Sequence, residues 1–123
     1  MVVRIFLAAM AIVWLPYGLY CFLDPNALRT LAGVTATTPT AMTELRAMYG
    51  GLQSAVGTLA LLGTVRHDLE RCALVTLATL LPGLAAARLL GLVLDHSWSA
   101  YTAMGLAFEI TGSLVTIPLL RRR

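Results

Sequence analysis

The sequence predicts an all-α integral membrane protein: a four-helix transmembrane bundle with a short interfacial helix after the first span. Three observations carry that prediction. Of the 123 residues, 59% are hydrophobic and only 12% are charged, and the mean hydropathy of +0.81 is too apolar for a soluble domain of this size. The apolar residues fall into four stretches, about residues 5–23, 43–65, 71–94 and 100–120, each close to the roughly 20 residues that a spanning helix needs. The connections are short, so residues 1–123 are expected to form a single domain with no soluble module.

The first stretch begins after Arg4 and runs unbroken to Leu23. It ends in Asp24-Pro25 without a small-x-small cleavage pattern, so it is read as a span and not as a signal peptide. Pro16 is expected to kink it where neighbouring helices shield the freed carbonyl. Asp24-Pro25 reads as an N-cap followed by proline at the first helical position, and Gly33 as a C-cap. A short interfacial helix is therefore expected over 25–32, with Leu28 and Leu31 facing lipid.

Thr38-Pro39 repeats the cap-then-proline signal and opens the second span, which runs from Pro39 or Thr43 to Val65. Ala47, Gly51 and Ala55 recur at every fourth position there, a small-residue stripe of the kind that lets helices approach closely in lipid. The charged loop Arg66-His67-Asp68-Leu69-Glu70-Arg71 comes next, with Asp68 as the expected cap of the third span. That span contains Pro82-Gly83 near its middle, where a kink is expected, and a second small-residue stripe in Gly83, Ala87 and Gly91. His96-Ser97-Trp98-Ser99 forms a tight turn with a serine cap, and the fourth span then carries Glu109 between Gly105 and Gly112.

All nine basic residues are arginines. Arg4, Arg66, Arg71 and Arg121-Arg122-Arg123 fall on one side of a four-span chain, against Arg29 and Arg46 on the other, which predicts that both termini are cytoplasmic. This pattern expresses orientation in a lipid bilayer, and no nucleic-acid partner is expected. Cys21 and Cys72 are assigned to opposite membrane faces, about 30 Å apart, which excludes a bridge between them. Both read as small apolar residues.

The chemistry lies in the charges that fall in or beside the spans. In this topology Glu44, Arg46, Arg88, Asp95 and Glu109 all belong to the outer half. Arg88 sits about 10 Å from the end of its span and Glu109 about 12 Å below the start of the next. A charge at the centre of a spanning helix costs about 2.5–3.5 kcal/mol on insertion scales, so an Arg88–Glu109 pair is expected. Arg46, Tyr49 and Gln53, spaced i, i+3, i+7, line one face of the second span and would complete a polar cavity with that pair. Glu44 and Asp95 are assigned supporting positions near the interface. Two readings stay open: a polar cluster that fixes helix register, and a ligand or proton site.

His96 beside Asp95 lacks the spacing of a ligand motif, so no metal is expected. No phosphate loop, dinucleotide fingerprint or Ser-His-Asp arrangement appears, and no cofactor is expected.

Glu44-Leu45-Arg46-Ala47-Met48-Tyr49-Gly50-Gly51-Leu52-Gln53, Arg88-Leu89-Leu90-Gly91 with Asp95, and Glu109 in the last span together carry a resemblance. With this E-L-R-A-x-Y-G-G stretch the chain resembles a domain-of-unknown-function family of small four-span bacterial membrane proteins, placed loosely near the DoxX-like proteins. The resemblance covers nearly the whole chain and implies fold and membrane location. That family has no established reaction, so it implies no catalytic role.

The leading functional expectation is a non-enzymatic binding or accessory protein of the bacterial inner membrane. Its cavity, lined by Arg46, Tyr49, Gln53, Arg88 and Glu109, would hold a small amphipathic or lipophilic ligand. One alternative is a membrane enzyme using Glu109 as acid or base on a lipid-soluble substrate. Another is a structural subunit or homo-oligomer docking through Gly51, Gly83 and Gly91.

Overall fold

The structure, a computed structural model, describes residues 1–121, so Arg122 and Arg123 of the terminal arginine run lie outside the described residues. The described chain is all-helical: α1 (Val2–Leu23), α2 (Ala27–Ala32), α3 (Pro39–Leu45), a π-helical segment (Arg46–Gly51), α4 (Leu52–Val65), α5 (His67–Asp95) and α6 (Ala100–Arg121). Three of these, α1, α5 and α6, are long and apolar enough to cross a membrane. The expected second span is helical from Pro39 to Val65, but its turns widen at Arg46–Gly51, so it is not one regular helix. Helices α1 and α5 pass through Pro16 and Pro82 without interruption.

Contacts divide the chain into two compact units, Met1–Ala73 and Leu74 onward, with the division inside α5.

In the first unit, α1 runs antiparallel to the helix formed by α3, the π segment and α4. A Cβ on Gly50 would lie 2.7 Å from Phe22 Cβ, one on Gly18 2.6 Å from the Ser54 amide nitrogen, and one on Gly57 2.7 Å from the Leu15 amide nitrogen. Steps up one helix match steps down the other. The backbones themselves touch, and only hydrogen fits at the three glycines. Val3, Leu7, Met10, Ala11, Trp14, Gly18 and Cys21 form the buried stripe of α1, at the spacing of three and four that keeps one helix face inward.

The packing stripe on the partner helix is therefore Gly50, Ser54 and Gly57. The expected stripe of Ala47, Gly51 and Ala55 is not the packed one, and a Cβ on Gly51 would meet only the Arg46 carbonyl oxygen of its own helix, at 3.8 Å. Both sets have spacings of three or four, and sequence alone does not say which faces the neighbour. Within the second unit the other expected stripe is not packed on α6 either: among the described residues nothing lies within 4 Å of a Cβ on Gly83, and one on Gly91 would meet only Asp95 of its own helix, at 3.9 Å.

Capping follows the sequence signals in most places. Thr38 Oγ1 accepts a hydrogen bond from the Ala41 amide at 3.1 Å with Pro39 at the first helical position, and Ser99 Oγ accepts from the Thr102 amide at 3.1 Å. Gly33 ends α2 in the left-handed region, φ 71°. Helix α2 starts at Ala27, because residues 24–28 form tight turns in which the Ala27 and Leu28 amides reach the Asp24 and Pro25 carbonyls. Leu28 is fully buried and does not face outward as expected, whereas Leu31 is exposed. Asp68 does not cap α5. It sits within the first turn and pairs with Arg66 at 2.8 Å.

The second unit joins the rest of α5 to α6 through residues 96–99. A Cβ on Gly112 would lie 2.7 Å from Leu81 Cδ1, and one on Gly105 3.0 Å from Arg88 Cζ. The two helices are thus antiparallel, with α6 glycines receiving α5 side chains.

Candidate functional site

Arg88 and Glu109 meet within the second unit. Arg88 Nε donates to both carboxylate oxygens of Glu109, at 3.1 and 3.0 Å, and Nη2 donates to Oε1 at 2.8 Å. The Glu109 side chain is 4% exposed and that of Arg88 27%, so the carboxylate is the more enclosed partner. Neutralising such a carboxylate with a forked guanidinium offsets the cost of removing it from water.

The geometry rests on a four-residue repeat along α6. Tyr101, Gly105 and Glu109 occupy successive turns of one helix face, and the Arg88 side chain lies across all three. Its guanidinium stands 5.9 Å from the Tyr101 ring centroid, over the bare backbone at Gly105, and ends on Glu109. The Ser113 hydroxyl donates to the Glu109 carbonyl at 2.7 Å, one turn further on. Tyr101 is a member that the sequence reading missed. Its signal was the i, i+4, i+8 spacing of an aromatic, a glycine and an acid.

The other candidates belong to the first unit or to helix ends. Arg46 opens the π segment, donates from Nη1 to the carbonyl of Phe22 near the end of α1, and lies 5.9 Å from the Phe22 ring centroid. A cation there meets the negative end of the α1 dipole. Gln53 is half-buried, and Glu44 and Asp95 are exposed. Tyr49 lies on the π segment between Arg46 and Gly50.

The π turn changes the expected facing of these residues. It inserts about one residue's rotation, roughly 100°, between the helix before it and the helix after it, so i, i+3, i+7 spacing no longer puts Arg46 and Gln53 on one face.

A second buried acid was not singled out from the sequence. Glu70, 3% exposed, accepts from Arg4 Nε at 3.0 Å and lies 3.1 Å from His67 Nδ1. It ties the start of α5 to the start of α1. The cue was a glutamate in a loop otherwise dominated by basic residues, which reads equally well as a solvated helix start.

Fold and site together define an all-helical protein with three membrane-compatible apolar helices, in which two consecutive helices are joined by an enclosed Arg–Glu pair. The chain belongs to the family described as domain of unknown function DUF4345, whose family model matches residues 2–120. No curated protein and no solved structure matches it.

Proposed function

We propose that this chain is a four-span protein of the bacterial inner membrane with cytoplasmic termini, related to the DoxX-like proteins, that binds a small amphipathic or lipophilic ligand without catalysing its conversion. The fourth span in this reading is the helix from Pro39 to Val65, whose π turn alone separates it from the other three in regularity. The observation that carries the ligand reading is the Arg88–Glu109 pair with Tyr101 beside it: an ionic couple and an aromatic ring within apolar helices. Arg46, Tyr49 and Gln53 enter as further ligand-binding candidates, with Glu44 and Asp95 in support.

Native mass spectrometry of the detergent-extracted protein, beside an Arg88→Ala/Glu109→Ala variant, tests this. A discrete small molecule carried only by the wild type supports the reading. If a folded double variant carries the same complement of molecules, the pair is a register lock and the reading fails.

A second reading, a structural subunit, is favoured by Gly51 in the first unit and Gly83 in the second, where among the described residues an added Cβ would meet no other helix. A stoichiometric partner or second copy lost on Gly51→Leu or Gly83→Leu would select it. Conversion of a lipid-soluble substrate that stops in Glu109→Gln would select the enzymatic alternative.

A further inference from the structure

Arg88 and Arg46 both make defined contacts inside the protein, and they are used differently. Arg88 presents its Nε–Nη2 edge to a carboxylate. Arg46 turns the opposite corner of its guanidinium, Nη1, to the Phe22 carbonyl and rests over the Phe22 ring, while its Nε–Nη2 edge carries no partner among the described residues. That edge is the planar fork that matches two oxygens of an oxyanion. Neither Asp24 nor Glu44, the acids nearest in sequence to Phe22 and Arg46, forms an ion pair with it, and both are exposed.

The guanidinium is also held in place before any ligand arrives. One donor is fixed by a backbone carbonyl, its face is fixed by an aromatic ring, and its backbone is set by the π turn. Gly50 keeps that turn against Phe22, since a Cβ there would lie 2.8 Å from Phe22 Cα. Preorganisation of this kind removes the rotamer cost that a free arginine would bring to binding. The α1 C-terminus offsets only part of the charge, about half an elementary unit. On α1, Leu19 one turn before Phe22 and Leu23 next to it are exposed and apolar.

We propose that the open edge of Arg46 binds a phosphate oxyanion, with the apolar body of the molecule that bears it lying along α1 beside Leu19 and Leu23. The proposal rests on the ligand-binding reading above, in which Arg46 is one of the candidate residues, and concerns the first unit by itself. An anionic phospholipid headgroup and a free phosphate share this chemistry, and the test separates them.

Delipidated protein in neutral detergent is titrated by native mass spectrometry with short-chain phosphatidylglycerol, with short-chain phosphatidylcholine, and with inorganic phosphate as competitor. One phosphatidylglycerol is expected to bind in preference to phosphatidylcholine. Arg46→Gln keeps a polar side chain but removes the charge and the fork, and it should weaken that binding about tenfold or more. Arg29→Ala, at an exposed arginine of α2, should not.

Competition by millimolar phosphate assigns the site to the oxyanion itself, and its absence assigns it to the lipid headgroup. Equal loss in Arg46→Gln and Arg29→Ala, or no preference for the anionic lipid, overturns the proposal. Retained phosphatidylglycerol binding in a folded Arg46→Gln protein also overturns it. If Arg88→Ala/Glu109→Ala still strips the co-purifying molecule in that case, the ligand-binding reading survives alone.

Discussion

Glu109 Oε1 receives hydrogen bonds from both Nε and Nη2 of Arg88, at 3.1 and 2.8 Å, so α5 and α6 are joined by a forked ionic contact and not by a single point charge. Gly105 makes this possible. A Cβ there would stand 3.0 Å from Arg88 Cζ and 3.2 Å from Nε, so the absence of a side chain lets the guanidinium lie against the α6 backbone on its way to the acid.

This relationship predicts strong coupling between the two charges. Arg88→Ala and Glu109→Ala should each destabilise the protein, the second by about 3 kcal/mol or more because it strands a cation in an enclosed site. The double variant should cost less than the sum, leaving a coupling of about 1–3 kcal/mol in reversible unfolding measured in detergent. Gly105→Leu should reproduce much of the Glu109→Ala defect without touching either charge. Additive single losses would remove the pair from the energetics of this unit.

The close approach of α1 to the π segment gives a prediction in which neighbouring glycines behave oppositely. Gly50→Ala sets a methyl group within 2.8 Å of Phe22 Cα, a backbone atom that cannot swing away, so the helices must separate. A loss of about 1–3 kcal/mol is expected. Gly51→Ala meets nothing nearer than 3.8 Å and has an ordinary helical φ of −63°, so it should be neutral or stabilise by up to about 1 kcal/mol. Thermal unfolding of the two variants side by side decides this, and a Gly51→Ala that is the worse of the two would mean that the face bearing Gly51 is the packed one.

The all-helical character, the three long apolar helices and the Arg88–Glu109 contact were legible in the sequence because apolar composition, cap residues and the cost of a buried charge are all local or pairwise signals. Thr38, Ser99 and Gly33 cap where their chemistry says they should. The packing face of α4 was not legible. Gly50, Ser54 and Gly57 compete with Ala47, Gly51 and Ala55 at similar spacing, and a helix apolar on nearly every side gives no moment to choose between them. Nor was the π turn, since no residue type announces an inserted residue and the facing of Arg46 relative to Gln53 depends on it. Leu28 shows the same limit: an apolar residue on an amphipathic turn can face lipid or protein, and here it is fully buried.

At the charged end of the first unit, burial separates two ion pairs that look alike in sequence. Glu70 has a side chain 4% exposed and accepts from Arg4 while facing His67, whereas both members of the Arg66–Asp68 pair are more than half exposed. Glu70→Ala should therefore destabilise by about 2–4 kcal/mol, since it strips a partner from an enclosed contact between α1 and α5. Asp68→Ala should leave unfolding unchanged within error, because water and salt replace what the surface pair supplies. Raising ionic strength should leave the Glu70 effect largely in place. Similar small effects for both acids would place Glu70 in water.

The π segment predicts an asymmetry between two single-residue deletions. A π turn holds one residue more than a regular helix needs, so removing Met48 lets Arg46–Gly51 relax toward an α-helix while everything from Gly50 onward keeps its place on α1. Removing Ala55 instead rotates the C-terminal part of the helix by about 100° relative to the N-terminal part, and either Ser54 and Gly50 or Gly57 and Gly63 must leave their partners on α1. Deletion of Met48 should give folded, monodisperse protein with reduced anionic-lipid binding, because the turn that aims Arg46 is gone. Deletion of Ala55 should abolish the folded fraction. Size-exclusion chromatography of both in detergent reads the result. Comparable collapse of the two would mean that the π turn is required by the packing of α1 and not spare to it.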